Sequence, residues 1–244
     1  MKKNHSLLLL ILSLFYFAQG QNTYSGKITY LASYDNTLID EKSNIGNKEG
    51  IKGANEMIKS SSNVVCTLSF NQNESSYKVN KEMDDESKNK LNITYLFAGG
   101  KNVFYYQRDS LVMLQSNESL GKKLIIKRDI PNWIITKETK KINELVCIKA
   151  YTIKNNKDNA DAKDKIDAVA WFCPDIALGY GPMEYFGLPG LIIELKFSKM
   201  TFIANEIDLN NNDVEIEKLD ATNAISIKEF NAIARKKAPE FFGN

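Results

Sequence analysis

The sequence predicts an α+β, strand-dominated protein: a curved antiparallel sheet or partly open barrel, with one or two covering helices, including a C-terminal one. Three observations support this prediction. Segments rich in Val, Ile, Thr, Tyr and Phe follow one another along most of the chain. Helix-like segments do not alternate with them, which favours an antiparallel sheet over parallel βαβ units. Helical spacing occurs only near residues 48–59 and near the C-terminus.

The predicted strands are segments in which apolar and polar residues alternate, or in which β-branched and aromatic residues cluster. In chain order they are residues 24–34, 64–70, 92–98, 102–108, 111–115, 123–128, 144–153, 167–173, 191–198 and 201–207. The pair Gly99-Gly100 lies between the third and fourth segments and predicts a hairpin there. We expect the sheet to protect its edges by curling or by closing.

Two helices are predicted. Residues 48–59 form the first, although the two glycines within it lower its helix propensity. Near the C-terminus, Ser226 and Glu229 have the spacing of a capping box, in which each side chain bonds to the backbone N–H of the other residue. Apolar residues follow at helical spacing, so we expect a helix over residues 227–237 that packs on the sheet.

The N-terminus has the pattern of a secretory signal peptide over residues 1–20. Lys2 and Lys3 precede an apolar run at residues 7–18, and small residues precede a cleavage position after Gly20. The alternative, a retained anchor helix, is disfavoured because a membrane span needs about 20 apolar residues. We therefore expect an exported protein, periplasmic or extracellular, without a membrane span after cleavage. Residues 21–244 contain no linker or repeat and are interpreted as one domain.

Cleavage changes the charge balance and removes the only histidine, His5. Removal of Lys2 and Lys3 leaves 30 basic residues against 30 acidic ones, which argues against nucleic acid as a partner. A chain without histidine lacks the usual proton acceptor of a Ser-His-Asp triad and the usual nitrogen ligand of zinc. We therefore expect no cofactor and no metal site. Of the hydrolytic mechanisms, those that use carboxylates or a Lys base remain open.

The cysteines suggest one disulfide. If the polar run at residues 155–165 is the tip of a hairpin centred on Ala160, then Cys147 and Cys173 lie directly opposite each other on its two strands. Such positions are close enough for a disulfide, and export permits oxidation. We therefore predict a Cys147–Cys173 bridge with Cys66 left over. The alternative is three small buried residues.

Residues 187–192 read GLPGLI and form the most distinctive segment of the chain. Pro189 presets φ for the second position of a type II turn, and Gly190 supplies the positive φ of the third position. One interpretation is a tight corner that seats the following strand, with Gly187 as a structural residue. The other is a ligand-facing bend.

In the ligand-facing interpretation, aromatic and turn residues form a wall suited to an apolar, peptide or glycan ligand. The candidate binding residues are Tyr180, Tyr185, Phe186, Leu188, Pro189 and Gly190. Trp133 and Trp171 either extend this wall or belong to the core.

GLPGLI is also the signature of the GLPGLI family of secreted bacterial proteins, which this chain resembles. Residues 133, 138–140 and 147–150 are similar to the family's Trp…Glu-Thr-Lys…Cys-x-Lys-Ala segment, and residues 170–176 to its Ala-Trp-aromatic-x-Pro-x-Ile segment. The resemblance covers about residues 133–230. Cys173 departs from it, because a residue other than Cys is expected there.

The resemblance implies a compartment and an architecture but no activity. The chain also resembles the N-terminal accessory domain of a secreted peptide-N-glycosidase, and the family is associated with outer-membrane import machinery. We therefore expect an exported non-catalytic binding, accessory or carrier protein of the cell envelope. The alternative is a carboxylate-dependent hydrolase of peptides or glycans.

Overall fold

The computed structural model describes residues 25–40, 48–80, 92–118, 121–154 and 165–242. The predicted signal peptide and the predicted hairpin tip at residues 155–164 lie outside these ranges. The described residues form one sheet of twelve strands. These are β1 (Gly26–Tyr34), β2 (Val64–Phe70), β3 (Glu74–Val79), β4 (Phe104–Gln107), β5 (Val112–Asn117), β6 (Leu124–Arg128), β7 (Trp133–Ile142), β8 (Leu145–Lys154), β9 (Lys165–Cys173), β10 (Leu191–Phe197), β11 (Met200–Asp208) and β12 (Ile225–Ser226).

The sheet consists of two meanders joined side by side. The strand order is β12-β6-β5-β4-β3-β2-β1-β11-β10-β9-β8-β7. Strands β1 to β6 are antiparallel neighbours in chain order and form the first meander, and β7 to β11 form the second. The antiparallel pairing of β1 with β11, for example Tyr30 opposite Ala204, joins them. The parallel β12–β6 pair makes the sheet mixed.

The second meander curls strongly. Lys140 of β7 bonds Glu194 of β10 at 2.8 Å, although β8 and β9 lie between these strands in the hydrogen-bonding order. Asn143, in the turn after β7, donates to the carbonyl oxygen of Ala204 on β11 at 3.0 Å. Because β7 and β12 stay at opposite ends of the order, the sheet is curved and open, which confirms the predicted fold class.

The described residues also form three helices, α1 (Lys48–Lys59), α2 (Ile93–Phe97) and α3 (Ile227–Phe242). Helix α1 has the predicted bounds, and helix α3 begins where the capping box predicts. The Ser226 hydroxyl accepts from Glu229 N–H at 3.2 Å, and Glu229 Oε2 accepts from Ser226 N–H at 2.8 Å. No helix in the described part of the chain is long and apolar enough to cross a membrane.

The prediction of a strand at residues 92–98 is wrong, because helix α2 lies there. The Asn92 side chain accepts from the N–H groups of Thr94 and Tyr95, which is an N-cap and nucleates a helical turn. Gly99 and Gly100 follow with φ of 123° and 58°, and Gly100 N–H bonds the Tyr95 carbonyl. The glycine pair therefore ends a helix instead of turning a hairpin.

The predicted disulfide is also absent, although the predicted register is present. Ala150 pairs with Ala170 and Ile148 with Phe172, so the next pair along the ladder is Cys147 with Cys173. All three cysteines are nevertheless buried free thiols. The Cys147 thiol is directed to the Leu145 carbonyl oxygen at 3.6 Å.

Candidate functional site

The segment between β9 and β10, residues 174–190, holds the GLPGLI motif, and we call it the signature loop. It covers the sheet face that carries Tyr30, Tyr106 and Phe172, which we call the loop face. Apolar side chains of the loop, including Leu178, belong to the same buried cluster as the sheet. The loop is therefore part of the core of the protein.

Tyr180 anchors the signature loop to the first meander. Its hydroxyl donates to the carbonyl oxygens of Asn71 at 3.0 Å and Gln72 at 3.2 Å, in the turn between β2 and β3. Its ring contacts Phe70 and Tyr106, with centroids 5.9 and 6.0 Å away. Burial raises the pKa of Tyr180 to about 12, so the hydroxyl remains a neutral donor.

Phe186 and Tyr185 connect the loop to both meanders. The Phe186 ring lies 4.1 Å from the Tyr106 ring of β4, centroid to centroid. The Phe186 carbonyl accepts from Trp133 Nε1 of β7 at 2.7 Å. Tyr185 packs between Trp133 at 6.1 Å and Phe197 of β10 at 5.1 Å.

The corner of the motif differs from the predicted turn. Gly187, with φ of 88°, supplies the positive φ, and Gly190 does not have one. A Cβ on Gly190 would lie 2.2 Å from the Cys173 carbonyl oxygen. Glycine is therefore required at position 190 by the close approach of two backbones, and the prediction of a type II turn with Gly190 at its third position is wrong.

The turn at residues 182–185 contains the carboxylate of Glu184. Tyr185 N–H bonds the Pro182 carbonyl at 3.2 Å, and Met183 between them has φ of 55°, a strained value for a residue with a side chain. Glu184 follows, and its Oε1 bonds Arg128 Nη2 at the end of β6. Both side chains are about four-fifths buried, with exposures of 24% for Arg128 and 20% for Glu184.

The structure places most of the predicted wall inside the protein. Tyr180, Tyr185, Phe186, Leu188 and Gly190 are buried, whereas Pro189 and Gly187 are exposed at the corner. Trp133 is half-buried beside the wall, and Trp171 is half-buried on the opposite face of the sheet. The structure thus brings Trp133 to the predicted wall and separates Trp171 from it.

Trp171 is the centre of a charged cluster that the sequence analysis did not predict. Lys149, Trp171 and Glu194 lie directly opposite one another on β8, β9 and β10. The Lys140 ammonium lies 4.4 Å from the centre of the Trp171 ring and 2.8 Å from Glu194 Oε2. The Lys196 ammonium lies 3.2 Å from Glu194 Oε1, without the alignment of a hydrogen bond.

Each segment that resembles the GLPGLI family contributes a residue to this cluster. Lys140 belongs to its Glu-Thr-Lys part, Lys149 to Cys-x-Lys-Ala and Trp171 to Ala-Trp-aromatic, and Glu194 lies two residues after the hexapeptide. Side chains alternate between the two faces along a strand, and this alternation in β8 and β9 could have predicted that Lys149 and Trp171 lie on one face. Only the curl of the sheet brings Lys140 to Glu194.

The thiols are unsuited to nucleophilic chemistry. Burial raises the pKa values of Cys66 and Cys147 to about 11, so both remain protonated near neutral pH. Among the described residues, no group of three or more His, Cys, Asp or Glu side chains could hold a metal ion.

Comparisons with solved structures give partial similarities at low sequence identity. Two crystal structures of PNGF-II, in space groups P21 and C2, are similar to this chain at 15% and 14% identity with a TM-score of 0.46 each. Each match covers 88% of this chain but only 34% and 33% of the solved chains, so this chain spans about a third of their length. No curated protein matches the sequence.

A family model matches the part of the chain that contains β9, the signature loop and most of β10. Its description is "Protein of unknown function (Porph_ging)". The match confirms the resemblance inferred from GLPGLI over this segment. Residues 151–194 of the chain therefore have the sequence pattern of the Porph_ging family, which is of the GLPGLI type.

Proposed function

We propose that this chain is an exported, non-catalytic binding or accessory protein of the bacterial cell envelope, whose ligand contacts the rim of the signature loop. The N-terminal pattern of residues 1–20 supports export. The exposed corner at Gly187 and Pro189 and the half-buried Trp133 form the rim. The buried aromatic residues of the predicted wall support this rim from below.

The observation that carries the proposal is the fixation of the loop. Tyr180 holds it to the β2–β3 turn, and Arg128 holds it to β6. Trp133 holds it to β7. A surface that is fixed in advance loses little conformational entropy on binding, which favours affinity for a ligand.

The carboxylate of Glu74 is not suited to the role of a general acid. Glu74 accepts from Tyr105 at 2.6 Å and from Lys218 at 2.7 Å, and these hydrogen bonds lower its pKa in spite of burial. Glu194 lies between two lysine ammonium groups. A general acid needs a raised pKa near the working pH, and the shift of Glu74 has the opposite sign.

Native mass spectrometry of the mature protein, purified from its own cell envelope, tests the proposal. We expect a mass above that of residues 21–244 alone, and its difference identifies the ligand class as apolar, peptide or glycan. The bare polypeptide mass, combined with no binding to peptide and glycan arrays, would contradict the proposal. Turnover of any arrayed compound, lost in a carboxylate variant that remains folded, would establish the hydrolase instead.

A further inference from the structure

We infer that Arg128 and Glu184 form a polar subsite that binds a secondary amide of the ligand, with Glu184 accepting the amide N–H and Arg128 donating to the amide carbonyl. This inference rests on the proposed function and deepens it by naming the chemical group that the loop rim recognises. Peptide bonds and N-acetyl groups of sugars both contain this group.

The first support is an incompletely satisfied carboxylate. Glu184 Oε1 bonds Arg128, whereas Oε2 is shielded from solvent and has no hydrogen-bond partner among the described residues. Leaving a buried acceptor unpaired costs about 1–3 kcal/mol, and more for a charged group. Glu74 provides the contrast, because Lys218 and Tyr105 bond its two oxygens.

The second support is the unused donor capacity of Arg128. A guanidinium has five N–H groups in a fixed planar fork. Among the described residues, Glu184 is the one hydrogen-bond partner of the Arg128 side chain. About a quarter of the side chain is exposed, so part of Arg128 is accessible to a ligand.

The geometry of the pair determines the kind of ligand. Because Arg128 and Glu184 are in direct contact, a donor and an acceptor lie side by side, and both side chains are partly exposed. A secondary amide presents the complementary pair, one N–H and one carbonyl oxygen. The terminal torsion of a glutamate side chain is soft, so rotation of the carboxylate brings either oxygen to the exposed edge of the pair.

The half-buried ring of Trp133 provides a surface for the rest of the ligand, and the buried ring of Tyr185 supports it. Tyr185 directly follows Glu184 and lies 6.1 Å from the Trp133 ring, centroid to centroid. Trp133 is half-buried, with its Nε1–H fixed on the Phe186 carbonyl, so its ring orientation is set in advance. Rigid aromatic surface beside a few polar groups is typical of peptide and glycan sites.

The test is an NMR titration of the mature protein with two probes, N-acetyl-trialanine N-methylamide and N,N′-diacetylchitobiose. The Trp133 indole N–H reports on the subsite, and the Trp171 indole N–H on the opposite face is an internal reference. We expect a probe to shift the Trp133 signal and leave the Trp171 signal in place. The probe that binds more tightly separates a peptide source of the amide from a sugar source.

Matched changes in protein and probe make the test specific. In the double variant Arg128→Met with Glu184→Met, which leaves no unpaired charge, we expect affinity to fall about tenfold or more. Glu138→Gln, an exposed change on the opposite face, should leave affinity unchanged. A peptide methylated at every amide nitrogen lacks the N–H donors but keeps its carbonyl acceptors, and should bind more weakly to the native protein than the parent peptide does.

Three outcomes would overturn the inference. These are equal affinity in the double variant with an unchanged melting temperature, equal affinity for the methylated peptide, and no shift of Trp133 with either probe. The proposed function has a separate test, because a ligand adduct found by native mass spectrometry and retained by the double variant would support binding while rejecting this subsite.

Discussion

The two faces of β8, β9 and β10 differ in chemistry, although they are built from alternate residues of the same three strands. On the loop face, Ala150, Ala170 and Leu195 pack under the signature loop, and all three are completely buried. On the opposite face, Lys149, Trp171 and Glu194 take part in a network of ion pairs and cation–π contacts. The most distinctive sequence therefore lies on the face where hydrophobic packing dominates.

The residues of the two faces are constrained in different ways, by packing on one face and by charged partners on the other. The aromatic residues and Gly190 of the signature loop are constrained by packing, since they fill a closed volume against the sheet. The residues of the charged cluster are constrained by their partners, since each charged side chain contacts one of opposite charge. Substitutions on the loop face should therefore cost more stability, and substitutions on the opposite face should respond more to salt and pH.

The largest expected effect is that of Phe186→Ala on the loop face. Phe186 is 2% exposed and lies 4.1 Å from the Tyr106 ring, so its removal leaves a cavity. We expect the free energy of unfolding to fall by about 3–5 kcal/mol in urea titrations. Phe97→Ala removes a ring that is 50% exposed and should cost about 1 kcal/mol or less. Equal losses at the two positions would contradict the assignment of the loop to the core.

Gly190→Ala tests the close approach of two backbones. The new Cβ would overlap the Cys173 carbonyl, which cannot move without disturbing β9. We expect a loss of about 3 kcal/mol, measured in the same titrations. Gly53→Ala in helix α1 is the matched control, because nothing lies within 4 Å of its new Cβ and alanine favours a helix. It should stabilise the protein by about 0.5–1 kcal/mol.

Glu194→Gln is the corresponding test on the opposite face. It removes the carboxylate charge that the ammonium groups of Lys140 and Lys196 share, and we expect a loss of about 1–2 kcal/mol. The loss should shrink in high salt, because these lysines are partly exposed. The control Glu138→Gln removes an exposed partner of Lys149 and should cost less than about 1 kcal/mol. A loss for Glu194→Gln that is unchanged by salt would show that packing, not charge, holds this cluster.

The smallest expected effect is a pH dependence confined to the opposite face. Hydrogen bonds from Lys218, Tyr105 and Asn71 hold the pKa of Glu74 below its ordinary value of 4.5, although burial opposes them. A lowered folded pKa gives stability that is full above the unfolded value and is lost as pH falls through the folded value. The slope of unfolding free energy below about pH 4.5 should therefore be shallower in Glu74→Gln than in the native protein.

The tyrosine hydroxyl groups of the loop face should not contribute to this pH dependence. Burial raises the pKa values of Tyr30, Tyr180 and Tyr185, so these hydroxyl groups stay neutral throughout the acid range. The NMR signals of the Tyr30, Tyr180 and Tyr185 rings should accordingly stay constant from about pH 7 down to the onset of global unfolding. A change of these signals above that onset would contradict the division between the two faces.

Most of the fold was predictable from local pattern, and the errors have local causes. The alternation in β1, β2 and β9 and the capping box of α3 identify those elements directly. Strand β3 was missed because its sequence, ESSYKV, is mostly polar, and its outer residues bond to the segment near Glu217. Strand β7 was missed because its charged residues belong to an edge strand and to the charged cluster.

The candidate site was less predictable, because its contacts join distant parts of the chain. Composition identified the aromatic residues of the signature loop, but it does not distinguish a wall that faces solvent from one that faces the core. Arg128 and Glu184 lie in separate elements, and their sequence contexts are ordinary. Lys140 and Glu194 meet only because the second meander curls.

The pairing of β1 with β11, which joins the two meanders, also predicts an order in which the strand pairs form during folding. Strands β2 to β6 contact their chain neighbours, and so do β7 to β10, so each group closes short loops. Strand β1 differs, because its second partner, β11, is near the other end of the chain. We expect the β1–β11 amides to become protected last in pulsed hydrogen-exchange refolding, and protection of this ladder before β2–β3 would exclude that order. During synthesis from the N-terminus, β1 would then remain with one edge unpaired until nearly the whole chain had emerged.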